Sequence, residues 1–167
     1  MNKSSWSLLT PPSQGAIAII QLEGEVDDAL FSLTGEKSWP LGRMRLKEIQ
    51  QIDEAICVKI QEDIAQIMPH GGLQIIRDFG DLFKTLNIQR NTEPVFPEAK
   101  TKLQSKMLHA LSKTQSPIAC DLLLKQPTRH NSGMPTPEDL ERSLILDQLI
   151  YPPAVVLLGD SNTGKST

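Results

Sequence analysis

The chain has 167 residues, 39% hydrophobic but only 4% aromatic, and a net charge of −3 at neutral pH. That length holds one ordinary domain or two small ones, with a core that must be mostly Ile, Leu, Val and Ala. The mildly acidic balance excludes a general attraction to nucleic acid, so any RNA contact has to come from a local basic patch or from a partner. Cys57 and Cys120 each sit in an apolar run and read as buried free thiols of a reducing compartment, and no Cys/His spacing suits zinc. No window approaches the apolar length of a membrane span, so a cytoplasmic protein is expected, with no membrane partner.

Residues 6–9 and 16–22 are short apolar runs joined by Thr10-Pro11-Pro12-Ser13-Gln14-Gly15, a composition that predicts two strands about a rigid turn. Val26 to Leu33 places Ala29, Leu30 and Leu33 on one helical face, and Thr34-Gly35 stops it. Met44 to Ile60 predicts a hairpin whose best strand is Ala55 to Ile60, and Ile64 to Met68 adds another strand. Pro69-His70-Gly71-Gly72 leads into a helix over Leu73 to Leu86, where Ile75, Ile76, Phe79, Leu82, Phe83 and Leu86 recur at helical spacing.

Residues 1–90 therefore read as a self-contained α+β domain, followed by a proline-containing linker over 91–97. Residues 98–151 read as a helical segment. Its first helix runs from Glu98 to Lys113, and its second starts at Ser116-Pro117 and ends at Gln126 before Pro127. A polar stretch over 128–136 predicts a mobile loop, and a third helix begins at Thr136-Pro137-Glu138-Asp139 and reaches about Ile150. After Pro152-Pro153, the run Ala154 to Leu158 has the pattern of a fully buried parallel strand.

Directly behind that run stands Gly159-Asp160-Ser161-Asn162-Thr163-Gly164-Lys165-Ser166-Thr167, a phosphate-binding loop. Gly159 and Gly164 allow backbone angles that turn successive N–H groups toward phosphates, and Lys165 adds a point charge for the β and γ oxygens. The Ser166 hydroxyl suits Mg²⁺, and the helix expected behind it favours negative charge. Such a match arises by chance in about one chain in a hundred of this length. Residues 152–167 are thus expected to begin an α/β nucleotide-binding domain, and the chain reads as the front part of a longer protein. Without a switch segment or a base-reading motif it holds no complete hydrolytic mechanism.

Three stretches together resemble the tRNA-modifying GTPases called TrmE or MnmE. They are Leu9-Thr10-Pro11-Pro12-Ser13-Gln14-Gly15-Ala16-Ile17-Ala18-Ile19-Ile20; Ile52-Asp53-Glu54-Ala55 with Glu62-Asp63-Ile64 and His70-Gly71-Gly72; and the phosphate loop with Asn162 before Thr163-Gly164-Lys165-Ser166. The resemblance implies an N-terminal domain that dimerises and binds a formyl-tetrahydrofolate, then a helical domain interrupted by a G domain that binds GTP. It further implies wobble-uridine modification of tRNA with a flavin-dependent partner protein, and Asn162 matches a family position that coordinates K⁺. Folate candidates carried over on this basis are Pro12, Gly15, Ala16, Glu62, His70 and Gly71. The chain departs from the pattern at Ser13-Gln14 and Gln21, where the family carries basic residues.

Each of these residues has a plainer reading beside the functional one. His70 is either a polar turn residue or a ligand-facing one, since two glycines let a planar cofactor approach the backbone. Glu62-Asp63 either forms a solvated strand entrance or meets pterin-ring nitrogens. His109 and His130 read as helix-surface and loop residues, and Lys100, Lys102, Lys106 and Lys113 as a charged helix face. The alternative for the whole is a diverged dimerising scaffold that keeps the G domain as a switch. For the loop it is an ATPase, because phosphate contacts do not read the base.

Overall fold

The computed structural model describes residues 4–11, 15–129, 136–151, 153, 156, 158 and 159. The chain separates into two units, one ending at Lys113 and one starting at Thr114.

In the first unit, alternation sets the strands. Strand β1 (Ser5–Leu8) puts Trp6 and Leu8 on one side and Ser5 and Ser7 on the other, and β2 (Ile20–Glu23) does the same with Ile20 and Leu22 against Gln21 and Glu23. The hairpin predicted over 44–60 forms as β3 (Arg45–Ile49) and β4 (Asp53–Gln61), turning through Gln50 and Gln51, which both take positive φ. Strand β5 (Ile64–Met68) falls where the sequence places it. A two-residue strand, β6 (Gln89–Arg90), has no pattern of its own and exists because it can pair with β1.

The six strands lie in the order β3-β4-β5-β2-β1-β6, antiparallel throughout except for the parallel pair β1–β6. Register aligns Trp6 with Leu22, Ile20 with Ile67, and Ile67 with Cys57, so one face of the sheet is apolar from β1 across to Cys57 of β4. Helix α1 (Val26–Thr34) contributes Val26, Ala29, Leu30 and Leu33 to the core on that face, and α2 (Leu73–Thr85) contributes Phe79 and Phe83. Gly35 ends α1 in the left-handed conformation at φ +72°, its N–H donating to the Phe31 carbonyl at 2.8 Å.

Strand β2 begins later than the predicted Ala16. Over 15–18 the chain instead crosses the turn at 69–71, with Gly15 N–H donating to Gly71 O (3.1 Å), Gly71 N–H to Ala16 O (3.0 Å) and Ala18 N–H to Pro69 O (3.0 Å). Only glycine permits that approach at 71, since a Cβ there would lie 2.5 Å from Gly15 O. The linker over 91–97 returns to the sheet: Ser7 Oγ donates to Asn91 O at 2.8 Å, and Val95 N–H to Glu23 Oε1 at 3.0 Å. Helix α3 (Lys102–Leu111) is shorter than the predicted 98–113 because Thr101 caps it, accepting from Gln104 N–H.

In the second unit, α4 (Pro117–Arg129) starts at the proline that the sequence places first but does not stop before Pro127. A proline two residues from the end of a helix forfeits one N–H···O bond, and the preceding turns still carry the helix. The predicted third helix is divided into α5 (Pro137–Ser143), a 3₁₀ turn over Leu144–Leu146, and α6 (Asp147–Ile150). A capping box between Thr136 and Asp139 fixes its start. Residues 130–135 of the predicted loop lie outside the described residues, His130 among them. Among the described residues no helix is long and apolar enough to cross a membrane.

Candidate functional site

Of the phosphate loop, Asp160, Ser161, Asn162, Thr163, Gly164, Lys165, Ser166 and Thr167 lie outside the described residues, as does the folate candidate Pro12. In front of the loop, Val156 and Leu158 are 73% and 89% exposed and neither forms strand, against the buried strand expected over 154–158. The reason is cooperative: a parallel strand is buried only between neighbouring strands and under helices, and the second unit has no strand among its described residues.

The structure brings four folate candidates together. Gly15, Ala16, His70 and Gly71 meet where 15–18 crosses 69–71, and Ile17 and His70 form an isolated antiparallel bridge. The partner that sequence reading missed is Asp53, at the start of β4. Its carboxylate accepts from the His70 backbone N–H at 2.7 Å and lies 2.9 Å from the ring Nδ1. The Asp53 side chain is mostly buried, while the His70 ring is 66% exposed. Burial pushes the Asp53 acid up, but the His70 backbone N–H, its ring and its charge outweigh that, leaving Asp53 below the ordinary aspartate value. This pair orients the imidazole, and the Asp53 carboxylate is an acceptor for a proton carried at Nδ1. Among the described residues no hydroxyl or thiol is hydrogen-bonded to that ring, so the pair lacks a nucleophile of its own.

Glu62 is not part of that cluster. It lies in the turn before β5, the length of the strand away from His70, about 20 Å at roughly 3.3 Å per residue. Its carboxylate accepts from Lys59 Nζ at 2.7 Å, as does Asp27 of α1 at 2.7 Å. Lys59 is 4% exposed and projects from the core face of β4. Hydrogen bonds to Asp27 and then Glu62 raise the Lys59 pKa above the ordinary lysine value, in spite of burial.

On the outer face of the sheet, register places Ser7, Gln21, Gln66 and Val58 in one row. Gln21 is 1% exposed and its amide is fully engaged. Its Nε2 donates to Glu23 Oε1 (2.8 Å) and to Val95 O (2.7 Å), and its Oε1 accepts from Gln66 (3.4 Å). The network fastens the linker to the sheet and leaves no charge to meet an anion there.

The opposite face carries a groove of about 620 Å³ between α2 and the β1–β6 edge, floored by Trp6, Leu8, Ile76 and Ile88 and edged by Arg77, Lys84 and Arg90. No sequence motif announces it, because its residues come from a helix and two neighbouring strands that are far apart in sequence. His109, predicted on a helix surface, rests against the Phe96 ring at 6.3 Å; burial, then the nearby Lys113, lowers its pKa. Cys57 is fully buried and burial pushes its thiol up to about 12, whereas Cys120 is half-buried rather than buried as expected. Among the described residues no group of three His, Cys, Asp or Glu side chains can hold a metal ion. No protein-family model matches the chain, and no curated protein matches it.

Proposed function

We propose that the chain is the N-terminal part of a GTP-binding protein of the TrmE/MnmE type, with GTP and Mg²⁺ bound through Lys165 and Ser166 and K⁺ through Asn162. The observation that carries this reading is the loop Gly159 to Ser166 placed directly behind the apolar run Ala154 to Leu158. The mixed sheet of the first unit, and the meeting of Gly15 and Ala16 with His70 and Gly71, support a folate-domain likeness for residues 1–90. Homodimerisation of that domain belongs to the same proposal. It is supported by an apolar row on the outer face, Leu46, Ile56 and Met68, in which Leu46 is 62% exposed.

One observation favours a second reading, a dimerising GTPase scaffold without one-carbon or tRNA-modifying chemistry. Gln21 stands where the family has arginine, and its amide is consumed by Glu23, Val95 and Gln66. A folate carboxylate gains nothing from a saturated neutral amide.

Calorimetry with the protein extended through a complete G domain tests the nucleotide assignment. GTP should bind, GDP should compete, ATP should bind far more weakly, and Lys165→Ala should abolish binding. Unchanged affinity in Lys165→Ala would sink the assignment, and equal affinity for ATP would make the site an ATPase loop.

A further inference from the structure

The groove between α2 and the β1–β6 edge is lined by none of the folate candidates. Its floor is unusual for a surface depression. Trp6 is 7% exposed, its ring packed at 5.1 Å from Phe83, and its indole N–H meets no acceptor among the described residues. A buried indole ordinarily finds such a partner. Gly80 of α2 keeps the helix wall low here: a Cβ at 80 would stand 3.8 Å from the Trp6 ring.

Charge on the rim is equally one-sided. Lys84 is neutralised by Asp81 at 2.7 Å, but the Arg77 side chain has no ion pair or hydrogen bond among the described residues. Arg90 lies over the Trp6 ring at 5.3 Å with no carboxylate beside it. Two uncompensated guanidiniums thus converge on one depression in a chain whose net charge is −3. A planar fork of donors suits a carboxylate or phosphate, and an indole floor suits a flat apolar body.

We propose that this groove binds a small amphipathic anion, a planar apolar or aromatic body bearing one carboxylate or phosphate. The body lies along Trp6, Ile76 and Ile88, and the anionic group meets Arg77 and Arg90. The volume of about 620 Å³ is that of a small-molecule site. A peptide strand is the less suitable occupant, because β6 offers only two residues of edge for backbone pairing.

The test uses the 167-residue chain and 2-naphthoate, with neutral 2-naphthamide and inorganic phosphate as comparisons, followed by amide and indole NMR shifts. Saturable binding of naphthoate is expected, with shifts concentrated at the Trp6 indole and the Gly80 amide. Naphthamide and phosphate should each bind about tenfold more weakly or worse, since each lacks one half of the recognition. Arg77→Gln and Arg90→Gln should each weaken naphthoate about tenfold, and Arg90→Lys less. Arg77 is exposed and unpaired, so its variant carries the test even where Arg90→Gln disturbs the strand. Naphthoate and naphthamide binding equally, phosphate matching naphthoate, shifts centred elsewhere, or both glutamine variants retaining full affinity would each overturn the proposal.

Discussion

Lys59 occupies a position in the core face of β4 that its neighbours fill with Cys57 and Ala55, and it is tolerated there because two carboxylates meet its ammonium at the rim. Asp27 and Glu62 remain accessible to water, with side chains 52% and 79% exposed, so they are far less dependent on the pairing than the lysine is. That asymmetry gives an ordered expectation. Lys59→Met keeps the buried stem and releases two carboxylates to solvent, and should change stability little. The double change Asp27→Ala with Glu62→Ala strands an ammonium and should cost about 2 kcal/mol in a urea titration. The reverse order would show that the pair, and not the stem, holds β4 to α1. The pH dependence follows the sign of the shift. Because the folded lysine holds its proton more tightly than the unfolded one, its stabilisation is present at neutral pH and is lost as pH rises past about 10.5.

Two glycines at helix and turn respond oppositely to the same methyl group. At Gly80, inside α2, a Cβ lands at ordinary contact distance from Trp6 and the helix loses a flexible residue, so Gly80→Ala should stabilise by about 0.5–1 kcal/mol. At Gly71 the Cβ meets the Gly15 backbone at 2.5 Å, which the hydrogen-bonded crossing cannot yield, and Gly71→Ala should destabilise by more than about 2 kcal/mol. Thermal melts of the two variants decide the point; a shift of the same sign in both would refute the account of the crossing. The elements themselves were readable where periodicity was long. Helix α2 shows six apolar residues at helical spacing and appears within one residue of its expected end, and β4 with β5 follows the alternation. Short or tertiary-made pieces were not readable. Strand β6 has two residues and depends on β1, and the start of β2 is set by Gly71, more than fifty positions away. Likewise His70 and Gly71 were legible as a glycine-rich turn, while their partner Asp53 was hidden by its distance in sequence.

For the whole molecule, the first unit runs to Lys113, and the linker within it is fastened to the sheet by polar contacts. Removing the chain after Arg90 would leave Gln21 without Val95 O, Glu23 without the Val95 and Asn91 donors, and Ser7 without Asn91 O. Residues 1–113 should therefore fold cooperatively alone, while residues 1–90 should be at least about 3 kcal/mol less stable in the same titration. Equal stability of the two fragments would show that the linker merely rests on the sheet. The strand order carries a further consequence, for the timing of synthesis. Within the sheet the first strand ends up beside the sixth, and Ser7 stands 84 positions from the Asn91 carbonyl it holds. Closing so long a loop is entropically slow and must follow the local hairpins. On the ribosome β1 therefore waits beside β2 with one edge open until Gln89 and Arg90 have emerged. Trp6, the largest side chain on that strand, packs on Phe83, so its enclosure waits for α2 as well.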